Sequence, residues 1–291
     1  MFFQQIVNGV LLGSTYSLLA LGFTLMLGVL GLLNFAHGEA FMISAYVGFT
    51  FATVFKLPFA VAAVAGALSA GIISVIIYYL SFAFVKREFM AAPVLSTIGV
   101  AILLQTAATR IWGSDVRPFP EPFGQDAVEM GPVLVSLVQI GIMLTAFVLM
   151  AAFYAFLKWN KLGKAMRAIS ESPTNASLLG IRVERVTLLT FFISGVLAGI
   201  AGILIGLAFH AVTPFMGMNV LLKAMTVMIL GGLGNAIGAM VGGLIIGLVE
   251  TFSVGYWAAS WRDALVFVIL ILVLIFKPSG LFGTRQHEEK I

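Results

Sequence analysis

The stretch VLVSLVQIGIMLTAFVLMAAFYAFLKWNKLGKAMRAISESPTNASLLGIRVERVTLLTFFISGVLAGIAGILIGLAF, Val133 to Phe209, decides how this chain folds. A charge-free apolar run ends at Leu157, a basic segment follows from Lys158 to Val186, and a second apolar run begins there. An α-helix needs about 20 apolar residues to cross a hydrocarbon core of roughly 30 Å. Both runs meet that length, so the basic segment connects two membrane spans. Lys158, Lys161, Lys164, Arg167, Arg182 and Arg185 stand there against only Glu171 and Glu184. Lys and Arg concentrate in cytoplasmic loops, so this connection is read as cytoplasmic.

The same alternation continues in both directions. Spans are expected at residues 6–32, 38–55, 59–85, 94–112, 133–157, 187–209, 219–250 and 262–276. The expected fold class is all-α, a polytopic membrane helix bundle of about eight spans, or eight to nine crossings, with Gly-rich broken helices. It forms a single transmembrane domain over residues 1–291, with the cytoplasmic loop 158–186 inside it. Composition agrees, since 61% of residues are hydrophobic and 10% charged, with a mean hydropathy of +1.11. Soluble domains carry roughly 25% charged residues.

The formal net charge of +4 belongs to the loop alone, because the rest of the chain holds 10 bases and 10 acids. With no basic run and no recognition motif, nucleic acid is excluded as a partner. Cysteine is absent, which removes disulfides, thiolate metal sites and cysteine nucleophiles. The N-terminal MFFQQIVNGV has no Lys or Arg before Lys56, so it reads as a retained span and not as a secretory signal.

Charge also sets the topology. The connection Gly113 to Pro132 carries Asp115, Glu121, Asp126 and Glu129 against Arg117, with four prolines, and reads as extended and non-cytoplasmic. Lys86 and Arg87 mark a cytoplasmic turn. Three crossings before them put the N-terminus outside and Asn34 to Glu39 toward the cytoplasmic face. The tail, with Lys277, Arg285 and Lys290 against Glu288 and Glu289, is too balanced to orient itself. If it is cytoplasmic, residues 219–250 must cross twice or contain a broken helix. LGGLGN, Leu230 to Asn235, offers the break, with four glycines between Gly231 and Gly238. Close helix packing and a discontinuous helix lining a pathway both explain such a run. LGVLGLLNFAHGE, Leu27 to Glu39, interrupts the first half in a comparable way and hints at an internal repeat.

Few side chains carry chemistry. Glu39 stands between charge-free runs of 38 and 16 residues, and a carboxylate at membrane depth is costly. Asn34, His37 and Glu39, with Gly231, Gly232 and Gly234, are the candidate pathway or gating residues. The alternative for Asn34 and Glu39 is a helix start whose free N–H groups they satisfy. A proton relay lacks a second intramembrane carboxylate. Lys223 is expected to snorkel to an interface, and Glu250 and Asp263 to be solvated. The hydroxyls of Ser14, Thr15, Tyr16 and Ser17 are expected to bond mainly to their own helix. No catalytic or metal-ligating set is present: neither HExxH nor GxSxG occurs, and Leu162-Gly163-Lys164-Ala165 lacks most of a Walker A loop.

The basic loop has its own architecture. Lys158, Lys161, Lys164 and Arg167 recur every third residue, while Leu162, Ala165, Met166 and Ile169 supply an apolar side. Ser172-Pro173 reads as an N-cap followed by proline at the first helical position. A short helix from Thr174 to Leu179 would end at Gly180. Two amphipathic helices meeting at a Ser-Pro corner form a compact projection.

NFAHGE (Asn34 to Glu39), LGKAMRAISESPTNASLLGI (Leu162 to Ile181), LGGLGNAIGAMVGGLIIG (Leu230 to Gly247) and KPSGLFG (Lys277 to Gly283) resemble the LivH-type permease subunit of branched-chain amino acid ABC importers. The resemblance runs in order along nearly the whole chain. It implies a non-enzymatic, multi-pass permease of a bacterial-type plasma (inner) membrane, which translocates branched-chain, aliphatic amino acids. Its implied partners are a second related permease, forming a heterodimer, two cytoplasmic ATPase subunits and an external solute-binding protein. ATP and Mg²⁺ would be used by the ATPases, with no cofactor in this chain. The coupling element would comprise Gly163, Arg167, Ala168, Pro173, Ala176, Leu179 and Gly180. One rival is the same architecture carrying urea or short amides. Another is a proton- or sodium-coupled carrier, which needs a midplane ionisable cluster that Glu39, His37 and Lys223 alone would have to supply.

Overall fold

Apolar runs in lipid fold as helices because every backbone N–H and C=O must be satisfied within the segment. The computed structural model describes residues 1–31, 33–85, 91–121, 127–130 and 133–283. Lys86, Arg87, Asp126 and the tail charges Arg285, Glu288, Glu289 and Lys290 lie outside the described residues. The first helices are α1 (Phe2–Leu30), α2 (His37–Thr53), α3 (Phe59–Tyr78), continued by a π-turn at Tyr79–Ala83, and α4 (Ala91–Trp112). Short strands β1 (Arg117–Pro118), β2 (Ala127–Met130) and β3 (Val133–Ser136) lead to α5 (Leu137–Trp159). Then come α6 (Lys161–Glu171), α7 (Pro173–Leu178), α8 (Val183–Phe209), strand β4 (Ala211–Val212), α9 (Met216–Gly231), α10 (Ala236–Tyr256) and α11 (Arg262–Phe276).

Among the described residues, seven helices are long and apolar enough to cross a membrane. The helices α2, of 17 residues, and α9, of 16, are shorter and complete the bundle. The expected span 219–250 is therefore two helices. Its break falls where the glycines stand, with φ of +107° at Gly232 and +78° at Gly234, a backbone region that favours glycine. Asn235 then caps α10, its side chain accepting from the Gly238 N–H at 2.9 Å. Close packing operates there too, since a Cβ on Gly231 would strike Gly238 and the reverse. The two explanations of this run describe one structure.

Other boundaries shift for local reasons. The span expected from residue 133 begins at Leu137, because β3 pairs antiparallel with β2. A Ser136–Gln139 capping box starts the helix there. In the Gly113 to Pro132 connection, β1 pairs with β4 just past α8, Arg117 opposite Val212.

Packing makes α1 and α8 the inner helices and leaves α4, α5 and α11 on the periphery. The α1–α10 contact is the most extensive and rests on small residues. A Cβ on Gly13 would lie 2.7 Å from the Leu244 Cα, and one on Gly9 2.9 Å from the Leu248 Cα. The next most extensive contact, α3 with α8, is built in the same way, with Gly199 against Ala67 and Ala70.

These contacts repeat with inverted sense. In each half a long helix ends at a left-handed residue, Gly31 (φ 68°) or His210 (φ 52°), and a short helix and two further helices follow. The α1 to α4 set and the α8 to α11 set correspond, with α1 on α10 matching α8 on α3. The interruption at Leu27 to Glu39 is thus matched by the α8–α9 junction, and not by the Gly-rich break the sequence pointed to. Inverted repeats of this kind are common among transporters.

The tail identifies its own side. The Leu281 N–H donates to the Leu230 carbonyl at 2.7 Å and the Phe282 N–H to the Gly231 carbonyl at 3.0 Å. Asn235 Nδ2 donates to the Phe282 carbonyl at 2.8 Å. Lys277 to Gly283 is thereby seated on the break, whose cavity also touches α6. Tail, break and basic loop share one end of the bundle, which parity requires if α9 and α10 are separate crossings.

Candidate functional site

The basic loop folds as α6 and α7, held by caps at every corner. Asn160 accepts from the Leu162 N–H at 2.9 Å and Ser172 Oγ from the Asn175 N–H at 3.2 Å. Pro173 is the first residue of α7, and Gly180 closes the projection at φ +83°. Gly163 lets α6 lie against the end of α5, where a Cβ would fall 2.6 Å from the Leu157 Cα. Met166, Ile169 and Ala176 are buried, and Ala168 is half-buried. Arg167, Pro173, Leu179 and Gly180 are exposed.

The seven coupling candidates therefore divide by position on one projection. Gly163, Ala168 and Ala176 seat it on the bundle, Pro173, Leu179 and Gly180 face outward, and Arg167, though exposed, turns back toward the Lys158 carbonyl and the cavity behind the projection. Leu178, beside them, was not singled out from the sequence. Yet Leu178 and Leu179 are 81% and 80% exposed, an unusual pair of bare leucines on a solvent-facing turn. Position at the tip, two residues before the closing glycine, was the available signal. Behind the projection a cavity of about 450 Å³ is lined by Gly28, Val29, Leu157, Met166, Arg167 and Gly234, among others. It joins α6 to the ends of α1 and α5 and to the break.

The candidate pathway residues are not one cluster. Asn34, His37 and Glu39 gather at the start of α2, all three buried. Asn34 Oδ1 accepts from the Ala36 N–H at 3.0 Å, which turns the chain just before α2 but caps none of the N–H groups of the helix itself. Glu39 makes no cap either. It sits where the first turns of α2 and α9 cross, so that a Cβ on Gly217 would lie 3.0 Å from its Cδ and 2.7 Å from the Gly38 carbonyl. The first turns of two helices thus meet at this carboxylate, whose buried Oε2 has no hydrogen-bond partner among the described residues. His37 packs beside Gly22, its ring 5.7 Å from that of Phe23. The Leu19 carbonyl faces the ring without completing a hydrogen bond of good geometry. Gly231, Gly232 and Gly234 instead shape the break and the seat of the tail.

A second polar centre departs from the sequence expectation at Glu250. Glu250 is 0% exposed, not solvated, whereas the Asp263 side chain is 65% exposed, and Lys223 lies between the two carboxylates. Lys223 Nζ lies 3.0 Å from Glu250 Oε1 and 3.0 Å from Asp263 Oδ1. Arg262 Nε also donates to Glu250 Oε1, and Tyr16 Oη does so at 3.1 Å. Buried charges persist only when paired in this way. Of the hydroxyl patch, Ser14 and Thr15 bond back to the carbonyls of Leu11 and Leu12. Ser17 also reaches across to the Met240 carbonyl at 2.7 Å, and Tyr16 belongs to the ionic centre.

Comparison with known proteins agrees with this architecture. Residues 5–274 match the family model described as the branched-chain amino acid transport system / permease component. The chain is 36% identical over 303 residues to the high-affinity branched-chain amino acid transport system permease protein LivH of Salmonella typhimurium, covering 100% of this chain and 98% of that protein. BraD of Pseudomonas aeruginosa, the permease protein of a system described in the same words, is 34% identical, with 100% of this chain and 98% of that protein covered. PsaBC from Streptococcus pneumoniae, solved in complex with Fab, superposes with a TM-score of 0.52 over 94% of this chain and 92% of that one. At 13% identity this is a likeness of fold alone. The match to the family model over residues 5–274, on an integral membrane bundle of inverted helical repeats, shows that the chain belongs to the family of branched-chain amino acid transport permeases.

Proposed function

We propose that this chain is the membrane path of an ATP-driven importer that moves branched-chain amino acids across a bacterial inner membrane. The observation that carries the reading is the 36% identity to LivH along the entire chain. An external binding protein delivers the amino acid, and a second, related permease completes the path. Two ATPases bound at the cytoplasmic end supply the energy, with their own ATP and Mg²⁺.

The projection of α6 and α7 supports this division of labour. It is rigidly capped, it offers Leu178 and Leu179 to a partner, and its α6 packs on α5 and α1. Closure of the ATPases would move it as a unit and shift the bundle between outward-open and inward-open states. A shift of that kind needs a partner that binds one state better than the other, and the bare leucines supply contact area for it.

The reading is tested by uptake in a reconstituted complex containing all the subunits. Labelled leucine should enter, with isoleucine and valine competing and urea not competing. Urea uptake in place of leucine would favour an amide permease of the same architecture. A second reading, an ion-coupled carrier, gains from the cluster of Lys223, Glu250, Arg262 and Asp263. Leucine uptake driven by a proton or sodium gradient, by the permeases without ATPases, would support it.

A further inference from the structure

We propose that the cavity between α8, α9 and α11, at the end of the bundle opposite α6 and α7, is a transient site for the substrate. Its ligand class is an aliphatic amino acid in zwitterionic form, held by Lys223 and Arg262 at its carboxylate and by Asp263 at its ammonium. This site rests on the importer reading above and locates a step within it.

Three observations carry the assignment. The cavity is about 590 Å³, within the range of small-molecule sites. Its walls include Ile205, Phe209, Val220 and Phe267, and its polar edge is formed by Lys223, Arg262 and Asp263. Apolar walls facing charges of both signs match a molecule with a branched hydrocarbon end and a zwitterionic end.

The charge balance narrows the ligand further. Lys223 and Arg262 are offset by Glu250 and Asp263, so the cluster is neutral as built. An added lone anion or cation would leave one charge without a partner beside the enclosed Glu250 and the mostly buried Lys223. A zwitterion exchanges partners with no change in net charge.

The cluster is also unequal in a useful way. Glu250 is enclosed and takes Tyr16, Lys223 and Arg262 on one oxygen, which fixes the two cations from behind. Asp263, with a side chain 65% exposed, holds the same Lys223 from the solvent side. It can release Lys223 to a carboxylate and receive an ammonium at low cost. The site lies beside Phe209 and Ala211, where α8 ends and β4 begins, at the end where an external binding protein would deliver its cargo.

The test uses the complete complex, with its ATPases, partner permease and binding protein, in liposomes. Lys223→Gln, Asp263→Asn and the cavity-filling Val220→Trp should each lower leucine uptake about tenfold or more. Assembly and the stimulation of ATPase activity by the binding protein should remain. If Lys223→Gln fails to assemble, the exposed Asp263→Asn decides alone. A wild-type complex that takes up no amino acid overturns the importer reading and this site with it. Wild-type uptake that neither charge variant lowers overturns the site alone. Saturation-transfer NMR on the complex without binding protein gives a direct readout. Leucine should give a signal that 4-methylpentanoate and leucinamide lack, and Asp263→Asn should abolish it. Equal signals from the three molecules would contradict a zwitterion site.

Discussion

Glu250 shows how much a single buried carboxylate can hold together. It joins α10 to α1 through Tyr16, to α9 through Lys223 and to α11 through Arg262. Tyr16→Phe removes one hydrogen bond to a charged group and should cost about 1.5–3 kcal/mol. Glu250→Ala strands Arg262 and leaves Lys223 with Asp263 alone, and should cost about 3–5 kcal/mol. Thermal unfolding of the purified permease in detergent separates the two, and equal shifts would contradict the assigned geometry. Glu39 is a different case, because it is buried without acting as a cap. Glu39→Gln keeps its shape and should leave assembly intact while slowing uptake, whereas unchanged uptake would return Glu39 to a purely structural role. The Ser172-Pro173 corner was legible in the sequence because a cap acts within three residues. Glu250 was not, since its partners lie 12, 27 and 234 positions away in the chain and only the fold brings them together.

At the scale of elements, the projection and the break respond differently to change. Leu178→Asp with Leu179→Asp places charge on an exposed tip, so the bundle should fold and reach the membrane while co-purification of the ATPases is lost. Ala176→Asp buries its charge against the bundle and should destabilise the projection itself, so loss of coupling there would not isolate docking. Limited proteolysis of the loop, which should accelerate only for Ala176→Asp, tells them apart. Asn235→Ala removes both the α10 cap and the bond to the Phe282 carbonyl. It should cost roughly 1–2 kcal/mol and loosen Lys277 to Gly283, read as faster amide exchange at Leu281 and Phe282. The basic loop was legible because charge and period coincide there. The start of α5 was not, because β-pairing of Val133 to Ser136 with residues 127–130 competes with helix in an equally apolar run.

For the whole molecule, the inverted repeat explains what composition left open. Broken helices in both halves place the starts of α2 and α9 against each other at Gly38 and Gly217, well inside the bundle. The Gly-rich run at Leu230 was visible as a break, but its counterpart was assigned to the wrong place. The α8–α9 junction has no glycine cluster to mark it and turns on His210 and Pro214. The excess charge of one loop predicts which end is cytoplasmic, and the tail, silent in its own charges, is held at that loop's end by its bonds to Leu230 and Gly231. In the proposed function, this bundle imports amino acids by coupling at α6 and α7 to ATP hydrolysis in partner subunits. The most direct test measures leucine uptake into liposomes bearing the full complex, with ATP supplied only on the α6–α7 side. Uptake should require ATP and the binding protein and should be lost with Leu178→Asp and Leu179→Asp together. Uptake at the full rate without ATP, or with that tip altered, would contradict it.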